Sequence, residues 1–146
     1  LFTLLDQFPL ARKSFRIDSQ QILRIYRFDV RGFRPEMNVL VQTKKTAAGF
    51  PLATITSGGL QATSGVNWQS PGFAELYVHT DEAARQRGWG YSTASAVIQE
   101  VVNSGRTPIY LVDAENTASI NLAEKLGFVD TGARQVYAEA VYLGLP

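Results

Sequence analysis

The residues best suited to chemistry in this chain lie between Phe73 and Ser92. Alternation over Phe73-Ala74-Glu75-Leu76-Tyr77-Val78-His79 predicts a strand with Phe73, Glu75, Tyr77 and His79 on one face and Ala74, Leu76 and Val78 on the other. One carboxylate is thereby set among aromatic rings, where a carboxyl group loses part of its hydration and accepts a proton more readily near neutral pH. A polar position on a solvent-facing strand is the plain alternative. His79 is a second proton acceptor, since an unperturbed imidazole titrates near neutrality, although a lone histidine at a strand end is more often structural.

The next stretch, Arg85-Gln86-Arg87-Gly88-Trp89-Gly90-Tyr91-Ser92-Thr93, leads into Ala94, Val97, Ile98, Val101 and Val102 at helical spacing. The first turn of a helix leaves backbone N–H groups without partners, and its dipole favours negative charge nearby. A basic loop running into a helix start is therefore a seat for a pyrophosphate. Gly88 and Gly90 allow close approach to the backbone, and Arg85 and Arg87 supply cationic donors. A Walker A loop would need a Lys-Ser/Thr pair and a dinucleotide fingerprint a third glycine; neither is present.

The Arg-x-x-Gly-x-Gly of residues 85–90 follows a Phe-Ala-Glu-Leu strand, and Asn116-Thr117-Ala118-Ser119 and Glu124-Lys125-Leu126-Gly127-Phe128 come later in the same order. This set resembles the acetyl-CoA-binding half of the Gcn5-related N-acetyltransferase (GNAT) superfamily. The resemblance implies acetyl-CoA as co-substrate and acetyl transfer to a primary amine. It also implies a strand that splays from its neighbour after Glu75, offering Leu76, Tyr77 and Val78 to the pantetheine and thioester. Arg85, Gln86, Arg87, Gly88, Trp89, Gly90, Tyr91 and Ser92 would surround the pyrophosphate, with Asn116 and Ser119 along the CoA arm. Glu75 matches the glutamate that acts as general base, through water, in histone-type members. The family often has a tyrosine that protonates the departing thiolate; here that position is Ala123, leaving Ser119, Tyr110 or water for the step. The alternatives are a non-catalytic acyl-CoA-binding or regulatory module and, more remotely, a nucleotide-binding module.

The elements that must position these residues are read around them. The 146 residues suit one domain, and the resemblance implies that residues 1–72 shape the substrate site and 73–131 hold acetyl-CoA. A 45% hydrophobic, 18% charged composition is globular, and a net charge of +1 gives no support to nucleic-acid binding. The lack of cysteine removes disulfides and thiolate metal sites and is compatible with a reducing, cytoplasmic compartment. No apolar run is long enough to span a membrane, and Leu1–Leu10 does not read as a signal peptide. The chain starts without methionine, as a trimmed chain or one domain of a longer protein would.

A helix is expected over Ser19–Phe28 with Ser19 as N-cap, and the arginines and lysine of residues 12–34 are expected on a solvated surface. Met37–Thr43 reads as a strand, residues 44–49 as its turn and Phe50–Ser57 as the return strand. Residues 58–72 read as a loop or irregular hairpin in which Trp68 covers a substrate or, the more ordinary role for a tryptophan there, plugs the core edge. A stop at Asn103-Ser104-Gly105, a buried strand over Thr107–Asp113, a helix capped by Asn116 or Thr117 and ended by Gly127, and two strands, from Phe128 to Asp130 and from Gln135 to Leu143, complete the chain. The fold class is α/β (α+β): a mixed, mostly antiparallel sheet with helices on its faces. A small-molecule amine fits the absence of a charged patch better than a peptide does. A homodimer through a Gln135–Leu143 edge is compatible with the sequence.

Overall fold

Alternating side chains build most of the molecule, for which a computed structural model describes residues 1–145. The strands are β1 (Phe2–Leu4), β2 (Phe15–Phe28), β3 (Gln42–Lys45), β4 (Pro51–Ser57), β5 (Leu60–Gln69), β6 (Phe73–Thr80), β7 (Thr107–Asp113) and β8 (Phe128–Tyr142). The helices are α1 (Phe8–Ala11), α2 (Trp89–Asn103) and α3 (Thr117–Lys125). All eight strands join one sheet in the order β1-β8-β2-β7-β6-β5-β4-β3, antiparallel except for β6 with β7. No helix among the described residues is long and apolar enough to cross a membrane.

Cross-strand register decides which side chains share a face. Leu76 pairs with Tyr110, Tyr110 with Tyr26, and Phe28 with Phe128, and all of these are buried. They form one core with Ala94, Val97, Ile98 and Val101 of α2 and with Ala123 of α3 and its C-cap Leu126. The β6-α2-β7 and β7-α3-β8 connections progress in one direction across the sheet, so right-handed crossovers put both helices on the same side. The opposite face carries Leu23, Ile25 and Arg27, then Ile109 and Leu111, then Phe73, Glu75 and Tyr77, all half-buried or exposed.

Residues 19–28 are strand, not helix. Ile22, Leu23 and Tyr26 match helical spacing, but Tyr26 and Phe28 alternate into the core, and β7 and β8 offer ladders on both sides. Nor is Met37–Val41 a strand: Met37 and Val39 are 97% and 96% exposed. The segment is tied to α2 instead, with Glu36 N–H donating to Ser95 Oγ (3.0 Å) and Asn38 Nδ2 to Ser92 Oγ (3.3 Å). Residues 60–69, expected as a loop or an irregular hairpin, form a strand paired with β4 and β6, with a register shift at Asn67, after a turn in which Gly58 and Gly59 both take positive φ (60° and 77°). The small residues of β5 admit α2 closely, with Ser64 Oγ and Thr93 Oγ1 2.8 Å apart. The two short strands expected after Gly127 are one continuous β8, kinked where its register with β2 shifts. It lies between β1 and β2, and the short β1 pairs with it only over Gln135–Tyr137.

The α2, β7 and α3 boundaries follow the sequence. Gly105 takes φ 84° after the Ser104 C-cap, and Asn116 Oδ1 accepts the Ser119 N–H at 3.0 Å. Gly127 ends α3 with φ 93°, and a Cβ there would meet Gly32 C and Phe33 N at 2.9 Å. Gly127→Ala is therefore expected to lower stability by about 2–4 kcal/mol. Gly49→Ala, also at positive φ but with open space around it, is expected to cost about 1 kcal/mol. Urea unfolding of the pair checks this; equal losses would remove the steric argument.

Candidate functional site

The site begins where two strands stop pairing. β6 and β7 run in register from Phe73–Thr107 to Leu76–Tyr110 and pair no further, although β6 continues to Thr80 and β7 to Asp113. Beyond that point β6 follows β5, with Tyr77 opposite Gly65 and His79 opposite Thr63. β7 follows β2, with Leu111 opposite Ile25 and Asp113 opposite Leu23. The expected splay is therefore present. The edge of β6 that faced β7 is left without ladder partners from Tyr77 onward, and unpaired backbone polar groups seek a ligand or water.

A cleft of about 290 Å³ fills the fork, lined by Val78, His79, Thr80, Arg85, Tyr110, Asn116, Ser119 and Leu122. The Tyr110 phenol sits in its wall; burial pushes its pKa above the ordinary tyrosine value, while the neighbouring Ser119 side chain pulls the other way. The phenol thus keeps its proton through neutral pH.

From the fork, a short turn at Glu82–Ala84 carries the chain to the α2 N-terminus. Gln86 and Gly88 both take left-handed backbone (φ 71° and 77°), which folds the loop tightly over the helix start. Gly88 is the N-cap; no side chain caps the first turn and no acidic residue lies within it. Arg85 lines the cleft and makes no ion pair among the described residues. Arg87 stacks its guanidinium 5.3 Å from the Trp89 ring centroid.

Other predicted site residues have structural tasks. Gly90 is a packing glycine: a Cβ would meet Thr80 Oγ1 at 3.1 Å, with Val78 and Leu122 beyond. Trp89 is buried against Ile55, Ala62 and Ala84. Tyr91 donates its hydroxyl to the Arg34 carbonyl. Ser92 is buried with Oγ 3.0 Å from both Glu36 Oε1 and the Gly88 carbonyl. The Ser92 N–H is likewise taken, by the Gly88 carbonyl at 3.0 Å.

Glu75 lies on the opposite face, one residue before the fork. It is half-buried, flanked along its strand by Phe73 and Tyr77, and paired across the ladder with Trp68. Asn67 Nδ2 donates to its Oε1 at 3.5 Å. Trp68 does not plug the core; it is 44% exposed beside Glu75. His79 is exposed at the cleft rim, with Nε2 3.7 Å from Asp81 Oδ1.

Sequence reasoning missed Asn67 and Gly65. The Tyr77 ring lies directly over Gly65, where a Cβ would come within 2.6 Å of the phenol oxygen. An isolated glycine inside a strand is the signal that could have found this close approach.

Comparison with known proteins bears on the same region. The profile of the FR47-like protein family matches residues 55–137, which take in β5, β6, the loop, α2, β7 and α3. A GNAT-family protein from Novosphingobium aromaticivorans superposes with a TM-score of 0.75 at 20% identity, over 88% of this chain and 68% of its own. A GNAT-family acetyltransferase from Colwellia psychrerythraea gives 0.68 at 15% identity, over 94% and 63%. A GCN5-related N-acetyltransferase-like protein from Streptococcus suis gives 0.65 at 15%, over 92% and 68%. The chain thus spans about two thirds of the length of these proteins, and the likeness is one of fold. No curated protein matches the sequence. With the family profile over more than half of its residues and the GNAT sheet forked at its motif, the chain belongs to the FR47-like family within the Gcn5-related N-acetyltransferase superfamily.

Proposed function

We propose that this chain is an acetyl-CoA-dependent N-acyltransferase that moves an acetyl group to a primary amine by direct attack on the thioester. The observation that carries the reading is the fork after Leu76–Tyr110, whose cleft is continuous with Arg85 and lies beside an uncapped helix start. These residues fit CoA: an open strand edge for the pantetheine amides, Asn116 and Ser119 along the arm, and N–H groups with Arg85 for the pyrophosphate. Bound there, acetyl-CoA supplies an activated acyl group.

The chain's own residues do the rest. Unpaired amides on β6, at Tyr77 or Val78, donate to the carbonyl oxygen as it gains charge, a contact type typically worth about 10²–10³ in rate. Glu75, steadied by Asn67, receives the amine proton through water from the other face of the sheet. Tyr110, holding its proton beside Ser119, is the group in the cleft best placed to protonate the departing sulfur, in the absence of a tyrosine at position 123. Ala123 itself is fully buried, which keeps a second reading in view: a module that binds acyl-CoA without transferring the acyl group. Binding without transfer to a broad amine panel would select it.

Glu75→Gln is expected to lower kcat about 10²-fold or more while leaving acetyl-CoA affinity within about twofold. Steady-state kinetics with a calorimetric titration decide this, and unchanged turnover would remove Glu75 from the mechanism. Arg85→Gln is expected to weaken acetyl-CoA binding about tenfold, and Arg87→Gln less, because Arg87 is stacked on Trp89. Equal effects in the titration would show that the two arginines are not distinguished in this way.

A further inference from the structure

The helix-free face of the sheet carries a charge arrangement that acetyl transfer alone does not require. Register aligns Trp68, Glu75, Ile109 and Arg27 in one row across β5, β6, β7 and β2. Arg27 is exposed, with its guanidinium carbon 5.8 Å from the Phe73 ring centroid. Among the described residues it makes no ion pair and no side-chain hydrogen bond. The carboxylates near it along the strand and across the ladder are taken. Asp29 binds Arg31 (2.8 Å) and Asp130 binds both terminal nitrogens of Arg134 (2.8 and 2.9 Å).

Arg27 and Glu75 do not satisfy each other. Their backbones stand two strand spacings apart, about 10 Å, with Ile109 between them. The surface around them is apolar, with Leu23, Ile25 and Leu111 half-buried on the same face. A planar, weakly hydrated guanidinium held beside an aromatic ring is suited to a bidentate oxyanion.

We infer that the acceptor is an amine that also carries a carboxylate, and that Arg27, backed by Phe73, binds that carboxylate while the amine lies at Glu75. This rests on the reading of Glu75 as the acceptor-side base. The orientation is consistent with it. Tyr77 and the fork lie beyond Glu75 in one direction along β6, and Phe73 lies in the other. A zwitterionic acceptor spanning Ile109 therefore points its amine toward the thioester cleft and its carboxylate away. Arg27 acts as a specificity-determining residue and not a catalytic one.

The test is binding first and turnover second, on wild type and Arg27→Gln, with acetyl-CoA bound. The panel holds ω-amino acids of increasing length, n-alkylamines of matching length and aminoalkyl phosphates. Calorimetry is expected to find at least one ω-amino acid bound tenfold or more tightly than its alkylamine, with Arg27→Gln erasing that preference and leaving the alkylamine unchanged. In turnover the same variant raises KM for the amino acid about tenfold and leaves kcat within about twofold. Equal binding of amino acids and alkylamines, no binding of either, tighter binding of the phosphates, or an equal loss for all amines in the variant would each overturn the inference. Arg27 is exposed, so the variant is expected to fold, and an unchanged thermal shift with acetyl-CoA confirms that. Failure of acetyl-CoA to stabilise even the wild type would instead count against the cofactor reading beneath it.

Discussion

The parallel pairing of β6 with β7, and its end at Leu76–Tyr110, is the constraint on which the rest of the molecule depends. A strand inside a sheet satisfies its backbone on both sides, and giving up one side exposes N–H and C=O groups that need other partners. The separation is held by better offers elsewhere: β6 keeps its ladder with β5 to Thr80, and β7 keeps its ladder with β2 to Asp113. Gly65 makes room for Tyr77 on one arm of the fork, and Gly90 lets α2 press against Thr80 behind the same arm. The cleft is thus a product of strand competition and close packing.

This arrangement divides the chemistry between two faces. The cleft, Tyr110, Ser119 and the α2 start lie with the helices, whereas Glu75, Trp68, Phe73 and Arg27 lie on the side without them. An acyl donor held in the fork is reachable from both sides, because only where β6 and β7 part is the sheet open. The segment between β2 and β3 is fastened to α2 through Ser92 and Ser95, on the helix side of the sheet.

The part of the fold that was legible in the sequence runs from Phe73 to Gly127. There the alternation of β6, the apolar run of β7, the Asn116 cap and the stops at Gly105 and Gly127 all agree with tertiary structure. Residues 15–28 were not legible as strand, because Ile22, Leu23 and Tyr26 suit a helix equally well and only the presence of β7 and β8 decides between them. The polar, small-residue β5 read as a loop or an irregular hairpin because its composition answers to the close approach of α2 and of Tyr77. Of the candidate site, Arg85, Asn116 and Ser119 line the cleft in the fork, Gly88 is the N-cap of α2 and Glu75 lies on the opposite face of β6. The side chains of Trp89, Tyr91 and Ser92 turn out to serve packing and hydrogen bonds within the protein. Arg27 gave no signal, since its position beside Glu75 exists only through the register of β2 against β7.

The central claim is that the fork and the α2 start together hold CoA. The direct measurement is a thermal-stability titration with acetyl-CoA, CoA, ATP and NADH side by side. A ligand at about 100 times its dissociation constant stabilises the fold by about 2.7 kcal/mol, a shift that is readily seen. Both CoA species are expected to stabilise the chain, and ATP and NADH, which lack the pantetheine arm, to do so weakly or not at all. Stabilisation by ATP or NADH equal to that by CoA would reduce the site to a phosphate seat, and no stabilisation by any of the four would contradict the claim.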